Sequence, residues 1–313
     1  MTTNEAVAKQ DQVGLAIMAM VFTDLTLSIA DAIIKVAVSD MPLLQFIFLR
    51  CGITVPLLVL ILRLRYPEVP LRPVFPAWAI LRSSLLLVSL LLYYASLPQL
   101  DFSTAAAVYY TIPLFTTLFA AAWIREPVGV QGWTGVGIGF GGVLLMLKPQ
   151  AGDLNIFALL PLTSAMLYAL AVVVTRTKGR GEHPLVLALT FNLIAIGLSG
   201  AVTGLAGLGD TAEALDATGG RFLGEWIAMG WFQWGLVMLL SMTMLIGSVG
   251  TAIAYQLGPP SVISTWDFSY LAFAVLWGVV LFSERLDAAS LLGIALIALA
   301  GIIATRRRPA LRC

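Results

Sequence analysis

The chain alternates between long apolar runs and short polar breaks. A helix rising 1.5 Å per residue needs about 20 apolar residues to cross the ~30 Å hydrocarbon core of a bilayer. Runs of this kind lie at 13–35, 42–62, 76–97, 103–123, 130–147, 156–175, 184–208, 235–257, 261–282 and 288–305. The pattern predicts an all-α membrane protein of ten transmembrane helices. Connections are short except at 209–225, where Asp210, Glu213, Asp216, Arg221 and Glu225 mark a solvated loop. Trp226, Trp231 and Trp234 follow it, as expected of an aromatic belt at the membrane surface.

Composition agrees with a membrane-embedded chain. Of 313 residues, 59% are hydrophobic and 11% charged, against about 25% charged in soluble domains, and mean hydropathy is +0.94. These values exclude a soluble globule and a disordered chain, and a net charge of +1 argues against a nucleic-acid partner. Cys51 lies in an apolar run and Cys313 is the last residue, so no disulfide framework is readable. No cleavable signal peptide is evident, because the apolar run after the polar start is too long and contains Asp24. One side of the predicted helices holds Lys9, Arg63, Arg65, Arg72, Arg82, Arg125, Arg176, Lys178, Arg180 and the C-terminal arginines. The other holds only Lys35, Lys148, Arg221 and Arg285. The bias places both termini in the cytoplasm, and the compact loops suit a bacterial inner membrane.

The chain also repeats. A shift of 158 residues lays Ser103 on Ser261, Phe115 on Phe273, Leu118 on Leu276, Glu126 on Glu284 and Gly135 on Gly293. Each half has five helices, an odd number, so residues 155–305 must enter the membrane with the opposite sense to residues 13–148. Inverted repeats of this kind recur in secondary transporters, with the solute site at mid-membrane between the halves.

The Ser-Thr-Ala-Ala-Ala at 103–107, Pro113, the Arg-Glu-Pro at 125–127 and the glycine-rich run after it resemble the end of an EamA repeat. Ser261, Glu284 and Gly293 resemble the end of a second, although Leu271 stands where the first repeat has Pro113. The resemblance is to the drug/metabolite transporter superfamily and implies a ten-helix carrier of small organic solutes, exporters being common among them. Asp31-Ala-Ile-Ile-Lys, Pro42 and Arg50 are similar to a subgroup that includes S-adenosylmethionine carriers.

Ionisable groups deep in a membrane are costly and point to function. Asp24 lies about 16 Å into the first helix and Arg50 about 12 Å into the second from the opposite edge, close to one depth. Two readings stand: a structural Asp24–Arg50 bridge, or Arg50 for a substrate carboxylate with Asp24 for a substrate ammonium or a coupling proton. Asp31 and Lys35, four residues apart, are expected to pair locally. Asp267 lies about 9 Å into the ninth helix, flanked by Trp266 and Tyr270. The 158-residue shift matches it to Tyr109, beside Tyr110 and four residues before Pro113, which frees a backbone carbonyl. Asp267 and Tyr109 are therefore expected to line one central cavity.

Other groups have simpler readings. Arg82 can snorkel to the surface. Glu126 and Glu284 are placed to cap the helices that follow them. Tyr93 and Tyr94 lie near a helix end and suit the aromatic belt, and His183 is a loop residue. Gly135, Gly137, Gly139, Gly141 and Gly142 give two overlapping Gly-x-x-x-Gly spacings, for packing inside the monomer or for a homodimer through the fifth helix. No cofactor, metal or ATPase motif is readable. These residues predict a secondary carrier that moves a small polar solute, amino-acid-like or zwitterionic, by alternating access, with export favoured over import. Uptake or exchange of S-adenosylmethionine-like solutes is the alternative. An intramembrane enzyme lacks a readable nucleophile–base pair, and a non-transporting subunit has no need of buried charge in both halves.

Overall fold

The computed structural model describes residues 3–123, 128–147, 156–179, 181–206, 226–257, 266 and 268–305. Asp267, Glu126, Ser261 and the 209–225 loop lie outside them. The described elements are all helical: α1 Thr3–Asp40, α2 Leu43–Arg65, α3 Pro76–Ser96, α4 Phe102–Tyr109, α5 Ile112–Trp123, α6 Val130–Leu147, α7 Leu159–Lys178, α8 Pro184–Ala206, α9 Trp231–Leu257, α10 Ser269–Phe282 and α11 Ala288–Thr305. A 3-10 turn, Ile156–Ala158, leads into α7. Six spans are long and apolar enough to cross a membrane: Val13–Val36, Leu43–Arg65, Pro76–Ser96, Phe102–Trp123, Ile156–Thr175 and Pro184–Thr203. Shorter apolar helices cover Gly132–Leu145, Trp231–Gly247, Ser269–Phe282 and Ala288–Ala300.

Proline and glycine set several boundaries. Pro76 opens α3, where its missing N–H costs nothing. The apolar run at 103–123 is broken into α4 and α5, because Pro113 cannot bond to the Tyr109 carbonyl. Thr111 bridges the break: its hydroxyl donates to the Val108 carbonyl and its own carbonyl accepts from Leu114 N–H. α1 is longer than the apolar run at 13–35, since neither Gly nor Pro interrupts residues 3–12 or 36–40. It ends just before Pro42, which disfavours helical backbone in the residue ahead of it.

Helices of the first half pack mainly on helices of the second. α3 lies on α7 and α8, α1 on α9 and α10, α2 on α8 and α9, α4 on α10, α4 and α5 on α7, and α6 on α11. A continuous apolar core joins them, with Phe46, Leu97, Phe102, Leu240 and Ile297 all at 1% exposure or below. At the α6–α11 contact a Cβ on Gly142 would stand 2.8 Å from the Gly293 carbonyl oxygen, and one on Gly139 would stand 3.1 Å from the Ala300 Cβ. Gly139 and Gly142 are used inside the chain, while a Cβ on Gly137 or Gly141 would meet open space.

Glu284 does not cap the helix after it. Asp287 takes that role, accepting the Ser290 N–H at 3.0 Å. Glu284 reaches across the halves to the start of α4, accepting the Phe102 N–H, the Ser103 N–H at 3.1 Å and the Ser103 hydroxyl at 2.5 Å. Asp101, in the N-cap position, makes no side-chain cap bond, so Glu284 satisfies the orphan donors and meets the positive end of the helix. A left-handed turn at Ser283 (φ 52°) aims it there. Lys35 joins the same knot, 3.7 Å from Glu284 and 2.6 Å from the Leu100 carbonyl, and not Asp31 four residues before it.

Candidate functional site

The polar face of α1 carries Asp24, Ser28 and Asp31, spaced four and three residues apart on one side of the helix. That face meets α10 through a hydrogen bond at each position. The Ser269 hydroxyl donates to Asp24 at 2.7 Å, Trp277 Nε1 donates to Ser28 at 3.0 Å, and the Tyr270 hydroxyl donates to Asp31 at 2.5 Å. Asp24 is 1% exposed. Asp31 also accepts from the Tyr94 hydroxyl on α3, at 3.5 Å. Its two oxygens are thus held by tyrosines from different halves of the chain.

Arg50 stands two turns into α2, fully buried at 1% exposure. Its carbonyl accepts from the Thr54 and Ser241 hydroxyls, and its guanidinium lies 5.6 Å from the centre of the Phe46 ring. Asp31 and Tyr94 lie close enough to act on it electrostatically. Neither Nη1 nor Nη2 meets hydrogen-bond geometry, but the Tyr94 hydroxyl and the Cys51 thiol stand close enough to interact with the guanidinium. Among the described residues no ion pair joins Arg50 to Asp24, so of the two readings the structural bridge is not formed; the carboxylate that acts electrostatically on Arg50 is that of Asp31.

Most of the chain's eight tyrosines gather around these charges. Tyr93 stacks on Tyr109 with centroids 4.5 Å apart, Tyr110 on Tyr270 at 4.7 Å and 14°, and Tyr168 meets the edge of Tyr109. The hydroxyls of Tyr93 and Tyr270 are 3.5 Å apart. Tyr93 and Tyr94 do not face a membrane surface: each is 3% exposed, inside the cluster. Two Tyr-Tyr pairs, at 93–94 and 109–110, were the sequence signal for this box. Trp266 is 45% exposed and stands apart from it. Arg82 donates through Nε to the Thr175 hydroxyl at 3.2 Å and lies close enough to Tyr168 to interact with it electrostatically.

The cluster therefore combines the buried Arg50, the half-buried Asp31 and a wall of aromatic faces, with the buried Asp24 two turns further along α1. It lies where α4 breaks and α10 begins, and helix ends of this kind expose backbone groups that a solute can use. Among the described residues no group of His, Cys, Asp and Glu is arranged to hold a metal ion.

Comparison with known proteins places this arrangement in a setting. Residues 14–148 match the EamA-like transporter family. The pseudopaline exporter CntI of Pseudomonas aeruginosa is 21% identical over 299 residues, covering 95% of this chain and 98% of its own. A riboflavin transporter of Vibrio cholerae is 30% identical over 125 residues, 37% of this chain; the chain spans 42% of that relative's length. An S-adenosylmethionine uptake transporter of Rickettsia bellii is 30% identical over 97 residues, 31% of this chain and 33% of its own. A crystal structure with 19% sequence identity shares the fold over 94% of this chain and 96% of its own, with a TM-score of 0.59.

Proposed function

We propose that this chain, a small-metabolite transporter of the EamA-like transporter family, carries a polar, amino-acid-like or zwitterionic solute by alternating access between two inverted five-helix repeats, residues 13–148 and 155–305. The observation that carries this reading is the grip on Asp31: Tyr94 of the first half and Tyr270 of the second each hold one carboxylate oxygen, beside the buried Arg50. A site assembled from both halves changes when they move relative to one another. Opposite charges on the buried Arg50 and the half-buried Asp31 suit a solute that carries both signs, and charges at this depth in a membrane are too costly to keep for packing alone.

The packing order supports the inverted repeat. Exchanging each helix for its counterpart in the other half turns the α3–α7 contact into the α9–α1 contact, and α3–α8 into α9–α2. It turns α1–α10 into the contact of α7 with α4 and α5, and it returns α2–α8, α4–α10 and α6–α11 to themselves. All of these contacts are present. A chain folded as two internally packed five-helix bundles would show none of this symmetry across the halves.

Both termini face the cytoplasm in this reading, which the lysine and arginine bias supports, in a bacterial inner membrane. Export is favoured over import, since the exporter CntI aligns along nearly the whole chain. Uptake or exchange of an S-adenosylmethionine-like solute is the second reading, supported by the Rickettsia relative over part of the chain. The test compares metabolites inside and outside cells that express the protein, the Arg50→Gln variant or neither. A solute redistributed by the protein and not by the variant is the expected result. Identical metabolite profiles in all three overturn the carrier reading.

A further inference from the structure

Away from the solute site, Arg82 lies in a helix long and apolar enough to cross a membrane, with no carboxylate to match it. We infer that the cleft between the start of α3 and the end of α7 binds the phosphate of an anionic phospholipid, held by Arg82 and Lys178 together. This holds whichever solute the chain carries.

The first observation is the unmatched charge of the cleft. Arg82 lies six residues after Pro76, about 9 Å along α3. It donates to the Thr175 hydroxyl at 3.2 Å and to the Leu187 carbonyl at 3.5 Å, both neutral. Among the described residues it makes no ion pair, and its Nη2 has no hydrogen-bond partner. Unlike the Arg50 nitrogens, Nη2 keeps an open face. Lys178 closes α7 and likewise makes no ion pair among the described residues; its ammonium lies 5.3 Å from the centre of the Trp78 ring. Glu182 is the carboxylate that lines the cleft, and it is already engaged. Its two oxygens accept the Val74 and Phe75 N–H groups at 3.0 and 2.7 Å.

The second observation is the setting in which these cations emerge. Trp78 and Arg82, four residues apart, share one face of α3, and Thr175 and Lys178 share one face of α7. Phe75, Trp78 and Leu81 remain 51%, 40% and 43% exposed, so cationic heads stand inside an aromatic and apolar rim. Tryptophan is enriched at the headgroup level of a membrane, and basic clefts between helices at that level take anionic headgroups. The cleft admits about one water molecule. The phosphate therefore sits over its mouth, with the acyl chains along the exposed side of α3. The guanidinium offers a planar fork to two phosphate oxygens, and the ammonium adds a point charge. A zwitterionic headgroup would bring its own ammonium against both cations, so the lipid is anionic.

Native mass spectrometry on delipidated protein in detergent tests this with phosphatidylglycerol and with phosphatidylcholine of the same chains. The first copy of phosphatidylglycerol should bind at a concentration about fivefold lower than phosphatidylcholine. Arg82→Gln and Lys178→Gln should each raise that concentration about fivefold, the worth of one basic side chain beside anionic lipid. Each should also shrink the rise in thermal midpoint that phosphatidylglycerol gives the parent. Lys178 is exposed, so its variant guards against a misfolded Arg82→Gln. Arg65→Gln removes an exposed basic residue at the same end of the bundle but outside the cleft, and it should change neither quantity. Equal binding of the two lipids, binding untouched by both cleft variants, or an equal loss in Arg65→Gln overturns the inference. Inorganic phosphate that displaces phosphatidylglycerol at equal concentration would assign the cleft to a free anion and overturn the lipid. The cellular metabolite comparison tests the carrier reading independently of all these results.

Discussion

Glu284 and Ser103 join the two halves at one end of the bundle: the carboxylate just after α10 accepts both the amide and the hydroxyl of the second residue of α4. Hydrogen bonds to a charged group contribute about 1.5–3 kcal/mol each. Glu284→Gln keeps the shape, but its NH2 cannot accept, so at least one of these bonds is lost and the rest weaken; it should cost on the order of 2 kcal/mol and lower the thermal midpoint. Gly278→Ala should do the same from the other side, because its Cβ would stand 3.3 Å from the Ser103 Cβ and displace the Glu284 carboxylate. Combining them should add little. Additive losses in a double-mutant cycle of thermal midpoints would show that Gly278 acts elsewhere.

Lys35 contributes less to the same knot. Its pair with Glu284 spans 3.7 Å and its side chain is 16% exposed. Removing it by Lys35→Met should cost about 1 kcal/mol, and transport should persist, because Asp31 does not depend on it. Asp31→Asn should stop transport. Were Asp31 and Lys35 paired along the helix, both changes would damage transport alike, and an assay on the two variants side by side distinguishes these cases.

Arg50 should couple to Asp31 and not to Asp24. Neighbouring charges show interaction energies of about 0.5–3 kcal/mol in double-mutant cycles. Arg50→Gln with Asp31→Asn should recover part of the stability that either change loses, since each removes the charge the other leaves buried. Arg50→Gln with Asp24→Asn should be additive, because Asp24 is held by Ser269 on another helix. The yield of folded protein from the membrane fraction is a sufficient readout.

Much of this architecture is written in the chain, for physical reasons that differ by residue. The helices are legible because the bilayer imposes a length: six of the ten apolar runs contain helices long and apolar enough to cross a membrane, and the other four contain shorter apolar helices. Pro113 broke its helix where its missing N–H required. Asp24 and Arg50 stood out because charge is rare at that depth. Their partners did not, because rise along a helix gives depth and says nothing about which neighbour a side chain faces. Asp31 and Lys35 looked paired at four residues, yet tertiary donors from α3 and α10 outcompete a local contact worth a few tenths of a kcal/mol. Tyr93 and Tyr94 were misread for the same reason: a tyrosine near a helix end serves a membrane surface or a buried site according to the face it occupies.

The orientation rests on basic residues and is open to a direct check. Cysteine introduced at Lys178 should react with an impermeant reagent only from the cytoplasmic side, and at Thr218 only from the opposite side. An odd number of helices separates the two positions in the inverted arrangement. Labelling of both from one side would falsify that arrangement along with the assigned topology.

Tyr270 offers the sharpest separation of fold from function. Three hydrogen bonds tie α1 to α10, from Ser269 to Asp24, Trp277 to Ser28 and Tyr270 to Asp31. Tyr270→Phe removes only the last, and its ring can keep stacking on Tyr110. The other two bonds and the packed helices remain, so the amount of folded protein should stay within about 1 kcal/mol of the parent, the net value of one hydrogen bond. Asp31 then loses its donor from the second half and keeps only the longer contact to Tyr94 at 3.5 Å. Transport should fall severalfold. Tyr94→Phe, which removes that longer contact, should reduce it less. Ser269→Ala should cost stability and little transport, since it acts on Asp24 away from the ring stack. Rates and thermal midpoints measured on the three variants should therefore rank in opposite orders. Equal loss of both quantities in all three would mean that the tyrosines hold the helices together and that Asp31 has no part in carrying the solute.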